Sequence, residues 1–274
     1  MTREDKYSIC LIGAGNMGGA LLGGWLNEGI DPEAITVIDP SPADHMKDMI
    51  SNAGVRHESA APADLNPDIL MLAVKPQIID NVVAAIGHMV GQHTVVVSIA
   101  AGKTIAQLEE GIGKVCAVVR AMPNTPALVK RGITVACPNS LVTDLQKAHV
   151  ERLLLATGSV EWVTDEHLIN AVTGVSGSGP AYVFYLAECM ALAGIQAGLS
   201  EDLARKLASE TVSGAGELLA RSDKEPHTLR ENVTSPNGTT AAALEVLMGD
   251  DGMRQIVEEA VLAATQRSRE LSDG

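Results

Sequence analysis

The sequence predicts an α/β protein in two parts, a doubly wound parallel sheet layered with helices and then an all-helical C-terminal part. Three observations carry this. Short β-rich runs alternate with helical patterns through roughly the first 160 residues. Several of those runs are continuously apolar, as strands covered on both faces are. Beyond position 165 the strand pattern stops while helical periodicity continues.

In order, strands are expected at 7–12, 35–38, 69–74, 94–99, 115–119, 134–137 and 159–163, with helices between them at 17–28, 42–52 and 78–89 among others. The later helices are expected at 168–172, 180–198, 201–220, 239–247 and 252–271. Pro180 suits a first helical turn, and Gly198 and Gly249 suit helix ends. The boundary falls near 164, giving an α/β domain at 1–164 and a helical domain at 165–274. A length of 274 residues fits about two domains. No solenoid repeat or low-complexity tract is visible.

Composition narrows the function. Hydrophobic residues make up 46% but aromatics only 2%, so the core is built from Ala, Val, Leu, Ile and Met. This composition argues against disorder, and against single-strand nucleic-acid binding, which leans on aromatic stacking. A net charge of −14 repels polyphosphates and anionic membranes, so neither nucleic acid nor membrane is an expected partner. Cys10, Cys116, Cys137 and Cys189 are scattered, which argues against metal or disulfide use and for a cytoplasmic location. The charged start MTREDKYS carries no signal-peptide pattern. The apolar stretch 181–199 approaches a membrane span in length, but Glu188 lies within it. It reads as a helix buried in protein, between subunits.

The first strand runs directly into Gly13-Ala14-Gly15-Asn16-Met17-Gly18 and a helix, which is G-x-G-x-x-G in the context that gives it meaning. Gly13 permits a tight turn, Gly15 lets backbone approach a pyrophosphate, and Gly18 allows close helix–strand packing. The helix start offers free N–H groups and a positive dipole end. Asp39 ends the second strand 21 residues beyond Gly18. An acid there hydrogen-bonds a ribose 2′-OH and favours NAD(H); a strand-end turn residue is the plainer alternative. Ser41 is able to hold a 2′-phosphate. Ala73, Val74, Lys75 and Pro76, then Ala100 and Ala101, end further strands where ligands of open α/β sheets bind. Met122, Pro123 and Asn124 form an irregular loop after another strand. Asn124 either contacts a cofactor or satisfies that loop.

A second anion site is suggested by Asn232-Val233-Thr234-Ser235-Pro236-Asn237-Gly238-Thr239-Thr240, a polar turn opening a helix. Its N–H groups can hold a carboxylate; the alternative is ordinary capping by Ser235 or Thr239. Ser176-Gly177-Ser178-Gly179-Pro180 is another glycine-rich helix entry. The seven His show no metal-protease spacing, and neither a G-x-S-x-G elbow nor a Walker loop is present. Chemistry is therefore assigned to a cofactor that the protein orients.

With these residues in place, the sequence resembles the pyrroline-5-carboxylate reductase family. The likeness runs across nearly the whole chain: IGAGNMG, AVKP, VSIAAG, RAMPNTPAL, AVTGVSGSGPAYVF and ENVTSPNGTTAAALEVL. The resemblance implies a Rossmann-like first domain, a helical second domain that dimerises and often builds decamers, and reduction of an imino-acid substrate by NADP(H), with NAD(H) second. It places substrate binding on Ser235, Gly238, Thr239 and Thr240, with Asp223 and Asn232 nearby, and the proton-donating hydroxyl on Thr240. Cofactor residues by this likeness fall on the glycine loop, Ser41 and the strand-end positions already named, while Asp39 is a cofactor candidate on its spacing alone. Two positions depart from the family pattern. Asn237 stands where a Gly is usual, tolerable because Asn accepts left-handed backbone. Asp39 stands where NADPH users carry a small or neutral residue. Alternatives are a β-hydroxyacid dehydrogenase, against which the absence of Lys from 180–199 speaks, and a dinucleotide sensor without turnover.

Overall fold

The computed structural model describes residues 7–273. Positions 1–6, which bear on the expected lack of a signal peptide, lie outside them. Contacts group the chain into two compact units, Met1–Gly177 with Ala264–Gly274, and Ser178–Ala263.

In the first unit the chain runs β1 (Ile9–Ile12), α1 (Asn16–Asn27), β2 (Ile35–Ile38), α2 (Asp44–Ala53), β3 (Arg56–Glu58), β4 (Ile69–Leu72), α3 (Ile79–Ile86), β5 (Val95–Ser98) and α4 (Ile105–Ile112). It continues through β6 (Ala117–Met122), β7 (Gly132–Pro138), α5 (Asp144–Leu155), β8 (Gly158–Trp162) and α6 (Leu168–Val172). The strands form one eight-stranded sheet in the order β3-β2-β1-β4-β5-β6-β7-β8. Ile9 pairs with Ile35 on one side and Ile69 on the other, so strand order reverses across β1.

Alternation sends successive residues to opposite faces. Leu11, Met71 and Val97 join Leu21 and Trp25 in one core layer, while Cys10, Leu70 and Val96 join Ile79 and Val83 in the other. Trp25 is fully buried and its indole N–H donates to Leu153 O at 2.8 Å, which satisfies the polar atom burial would otherwise strand. Helices α4 and α5 begin with capping boxes, Thr104 with Gln107 and Thr143 with Gln146.

The sheet departs from the expected all-parallel form at one edge. β6 and β7 pair antiparallel, and β8 pairs parallel with β7. The connection between β6 and β7 is a short loop with a 3-10 turn at Thr125–Val129, too short for the crossover that parallel strands require. The polar strand β3 has no apolar pattern in the sequence and is an addition.

The second unit holds α7 (Gly179–Gln196), α8 (Glu201–Arg221), α9 (Pro226–Asn232), α10 (Thr239–Leu247) and the start of α11 (Met253–Asp273). α7 and α8 meet through small residues, and a Cβ at Gly194 would lie 3.2 Å from Ala204 Cβ. Of α7 only Ala191 is buried. The cover expected for 181–199 is therefore not supplied within one chain: Phe184 is 68% exposed. Among the described residues no helix is long and apolar enough to cross a membrane.

Candidate functional site

The turn between β1 and α1 uses its three glycines in three ways. Gly13 has φ +95°, and a Cβ there would meet Ala73 O at 2.8 Å. Its N–H donates to Ile38 O at 2.9 Å, joining the turn to the end of β2. A Cβ at Gly18 would sit 2.1 Å from Gly13 O, so α1 approaches the turn as only glycine allows. Gly15 differs: nothing lies within 4 Å of its Cβ position. It is the extended N-cap residue of α1, no side chain caps the helix, and the first helical bond runs from Gly19 N–H to Gly15 O. The N–H groups of Asn16, Met17 and Gly18 are thus the orphan donors of a helix start, facing open space in front of Gly15. That cradle fits a pyrophosphate.

Asp39 lies beside this turn. Its Oδ2 accepts from Ala14 N–H at 2.7 Å and its Oδ1 from Ser41 N–H at 2.8 Å. Ser41 itself is exposed. Because β1, β4, β5 and β6 are parallel neighbours, their carboxyl ends share one edge. The structure gathers there Ala73, Val74, Lys75 and Pro76 after β4, Ala100 and Ala101 after β5, and Met122, Pro123 and Asn124 at the end of β6. Lys75 is exposed, and Ala100 N–H donates to the buried Ser98 Oγ at 3.3 Å. Asn124 Oδ1 accepts from Ile133 N–H at 2.9 Å, so this amide oxygen satisfies its own loop. Ligands of open α/β sheets bind at this edge, where the strand order reverses.

Two supports of the Met122 loop were not among the sequence expectations. Residues Thr173–Gly177 form a π turn, and a Cβ at Gly177 would lie 2.6 Å from Met122 Cε. The run at 176–180 reads as a glycine-rich helix entry, and nothing in it specifies the π turn at Thr173–Gly177. Arg120, 3% exposed, donates to Glu166 Oε1 at 2.9 Å. The same oxygen accepts Ile105 N–H at 2.8 Å, and Arg120 Nη2 donates to Ser272 Oγ at 3.3 Å. The partners of Arg120 lie 46 and 152 residues away, beyond any local signal.

Within the second unit, α10 starts at Thr239 with Gly238 as an extended N-cap and no side-chain cap, so capping by Ser235 or Thr239 is not what this turn does. Gly238 N–H closes the turn onto Ser235 O at 3.0 Å, and Asn237 takes the left-handed conformation at φ +57°. Thr239 and Thr240 supply the first N–H groups of α10, and Thr240 is half-buried. Asn232 is the last residue of α9, whereas Asp223 is exposed in the loop between α8 and α9. Uncapped N–H groups at such a helix start can hold a carboxylate.

A cavity of about 1400 Å³ lies elsewhere in the first unit, lined by Ile69, Lys114, Ala117 and His149 among others. Ile69 and Ala117 are the first residues of β4 and β6, so it opens at the strand edge opposite the glycine turn. Burial pushes the Cys10 thiol in β1 up to about 12, which leaves it inert as a nucleophile.

A sheet whose order reverses beside an open glycine turn, with an uncapped helix start behind it, defines the class of dinucleotide-binding α/β oxidoreductases. Comparison with known proteins makes the assignment specific. The family model for pyrroline-5-carboxylate reductase dimerisation matches residues 166–271, and that for NADP oxidoreductase, coenzyme F420-dependent, matches 8–102. Pyrroline-5-carboxylate reductase from Pseudomonas aeruginosa is 42% identical over 97% of both chains. The enzyme from Escherichia coli K12 is 40% identical over 97% of this chain and 99% of that protein. A solved pyrroline-5-carboxylate reductase from Coxiella burnetii superposes with a TM-score of 0.89 at 35% identity, covering 98% of this chain and 99% of that one. The Plasmodium falciparum pyrroline carboxylate reductase solved with NADP bound gives 0.81 at 30% identity, over 98% and 99%. The chain belongs to the pyrroline-5-carboxylate reductase family.

Proposed function

We propose that this chain reduces 1-pyrroline-5-carboxylate to L-proline, the last step of proline biosynthesis, with NADPH as the favoured reductant and NADH as a second. The observation that carries this reading is the uncapped α10 turn of a dimerisation-type helical domain, a carboxylate cradle in a chain that also holds a dinucleotide cradle. Family members aligned over nearly the whole chain carry the same name. When bound, the reduced dinucleotide supplies the hydride that the imine carbon receives.

The chain's own residues bind and orient. Asn16, Met17 and Gly18 hold the pyrophosphate on backbone N–H groups, and the loops at 73–76, 100–101 and 122–124 border the nicotinamide. Gly238, Thr239 and Thr240 hold the substrate carboxylate, with Ser235 adding its hydroxyl and Asn232 and Asp223 nearby. Thr240, or a water it holds, delivers the proton that the ring nitrogen gains. Fixing the imine in one pose supplies orientation and not acid–base power. Residues 1–164 thus serve the cofactor, and 165–274 serve the substrate and self-association as dimers that assemble further into decamers. The chain's free thiols fit a cytoplasmic enzyme.

The test is loss of NADPH absorbance on addition of 1-pyrroline-5-carboxylate, with proline identified as product and a β-keto acid as control. Oxidation driven by the β-keto acid and not by the imine makes the chain a β-hydroxyacid dehydrogenase. Saturable dinucleotide binding without either oxidation makes it a sensor.

A further inference from the structure

Asp39 occupies the position from which an acid ordinarily reads the ribose 2′-OH and turns a site toward NADH. Here every polar group of Asp39 is engaged by the protein. Its N–H donates to Glu58 O at 3.1 Å, and its carbonyl accepts from His57 Nε2 at 2.9 Å. Its two carboxylate oxygens take the N–H groups of Ala14 and Ser41. Ala14 is the second residue of the glycine turn and only 2% exposed, so with the carboxylate in place its N–H is shielded from solvent.

We propose that Asp39 is a positioning residue that ties the turn after β2 to the glycine loop, and that the choice between NADPH and NADH does not rest on it. The brace acts on Ala14, between the residue that sets the turn and the residue left open for the pyrophosphate. NADPH and NADH share the pyrophosphate and differ only at the 2′ position. Loss of the brace therefore weakens both dinucleotides alike. A 2′-OH reader behaves otherwise: its removal weakens NADH and relieves repulsion of the 2′-phosphate.

This inference rests on the reading of the first unit as an NAD(P)H site, and binding measurements test it without the substrate. Kd for NADPH and for NADH is measured on the purified full-length oligomer, wild type, Asp39→Asn and Asp39→Ser, with far-UV circular dichroism to show that the variants fold. Asparagine keeps one acceptor but sets an NH2 against the other N–H donor, so it removes half the brace. Both affinities are expected to fall about tenfold or more, since hydrogen bonds to charged groups are at stake. Their ratio is expected to stay within about threefold of wild type, because the perturbed group is shared.

A shift of the ratio toward NADPH by about tenfold makes Asp39 the ribose reader and overturns the proposal. Unchanged affinity for both overturns it as well. Should neither variant fold, the wild type decides with 2′-deoxy-NADH. Binding within about threefold of NADH supports the brace, and a loss of about tenfold shows a 2′-OH contact and overturns it. A chain that binds both dinucleotides but does not oxidise NADPH with 1-pyrroline-5-carboxylate refutes the reductase reading alone and leaves the Asp39 result standing.

Discussion

Gly15→Ala and Gly18→Ala separate cofactor binding from folding within one loop. At Gly18 the added Cβ lies 2.1 Å from Gly13 O, a backbone atom that cannot step aside. Overpacking of that severity costs about 3 kcal/mol or more, which lowers Tm by roughly 6–12 °C for a unit of this size. At Gly15 the Cβ meets nothing within 4 Å, and the backbone is already extended at φ −77°. The fold loses only the difference between Gly and Ala as N-cap, up to about 1 kcal/mol.

On the proposed binding mode, the same methyl group stands in the space the pyrophosphate takes. Losing one charge-assisted N–H contact costs about 1.5–3 kcal/mol, or roughly ten- to a hundredfold and more in Kd. Ligand-dependent thermal shift reads both effects together. At NADPH one hundred times the wild-type Kd, the wild type gains about 2.7 kcal/mol; a variant weakened a hundredfold gains about 0.4. Gly15→Ala should therefore melt near wild type without ligand and lose most of the ligand shift, while Gly18→Ala melts early. A Gly15→Ala protein that keeps the full NADPH shift refutes the assignment of the α1 start as the pyrophosphate cradle.

Thr240→Val keeps the shape of a half-buried side chain in the first turn of α10 and removes its hydroxyl; kcat should fall by about a hundredfold with NADPH Kd unchanged, and wild-type turnover contradicts the proton-delivery role. Arg120→Met leaves Glu166 and Ser272 without their shared donor, costing about 2–4 kcal/mol because Glu166 keeps some solvent; thermal denaturation at a Tm equal to wild type counts against it, and Arg120→Met/Glu166→Met should recover part of the loss. Burial raises the Cys10 thiol to about 12 from 9.0, so the native state holds this proton after the unfolded chain has released it. Its contribution is then fully present below pH 9 and is lost as pH rises toward 12, by up to about 1.4 kcal/mol per pH unit. Urea denaturation at pH 8 and pH 10 should show a steeper decline for wild type than for Cys10→Ala.

What could be read from the sequence is what short segments determine by themselves. The glycine turn was legible because each glycine answers a local demand, and the S-P-N-G-T-T turn because its residue types suit a left-handed step and an open helix start. β3 was not, since Arg56, His57 and Glu58 carry no apolar alternation and pair only because β2 lies alongside. The sixth strand shifts from the expected 115–119 to Ala117–Met122: Val115 looks like core by type but is 76% exposed. The direction of β7 depends on the length of a loop, not on the apolar run inside the strand. Asp39 shows the limit most sharply. Its residue type and spacing point to a ribose, and nothing in them reveals that Oδ2 accepts from Ala14 N–H, 25 residues earlier. The Arg120 cluster and the π turn under Met122 are likewise tertiary facts, set by contacts between distant segments.

The net charge of −14 and the two anionic ligands are reconciled by where the donors sit. Long-range repulsion from exposed carboxylates is screened within about 8 Å at physiological salt. Both proposed cradles offer N–H groups at helix starts, whose partial charges act at contact distance and do not depend on net charge. The aromatic-poor composition has a structural counterpart in the second unit. α7 is apolar without a polar face, and such a helix is stable only when covered. Val246 on α10 is 76% exposed and Leu262 on α11 is 67% exposed, so the neighbouring helices also carry uncovered apolar side chains. Each large apolar side chain taken fully out of water contributes about 1.5–3 kcal/mol, against a net stability of about 5–15 kcal/mol for an ordinary domain. Cover of a few such side chains by a second copy is therefore comparable in size to the net stability of an ordinary domain. Folding of this unit and self-association are then linked, and the balance depends on protomer concentration.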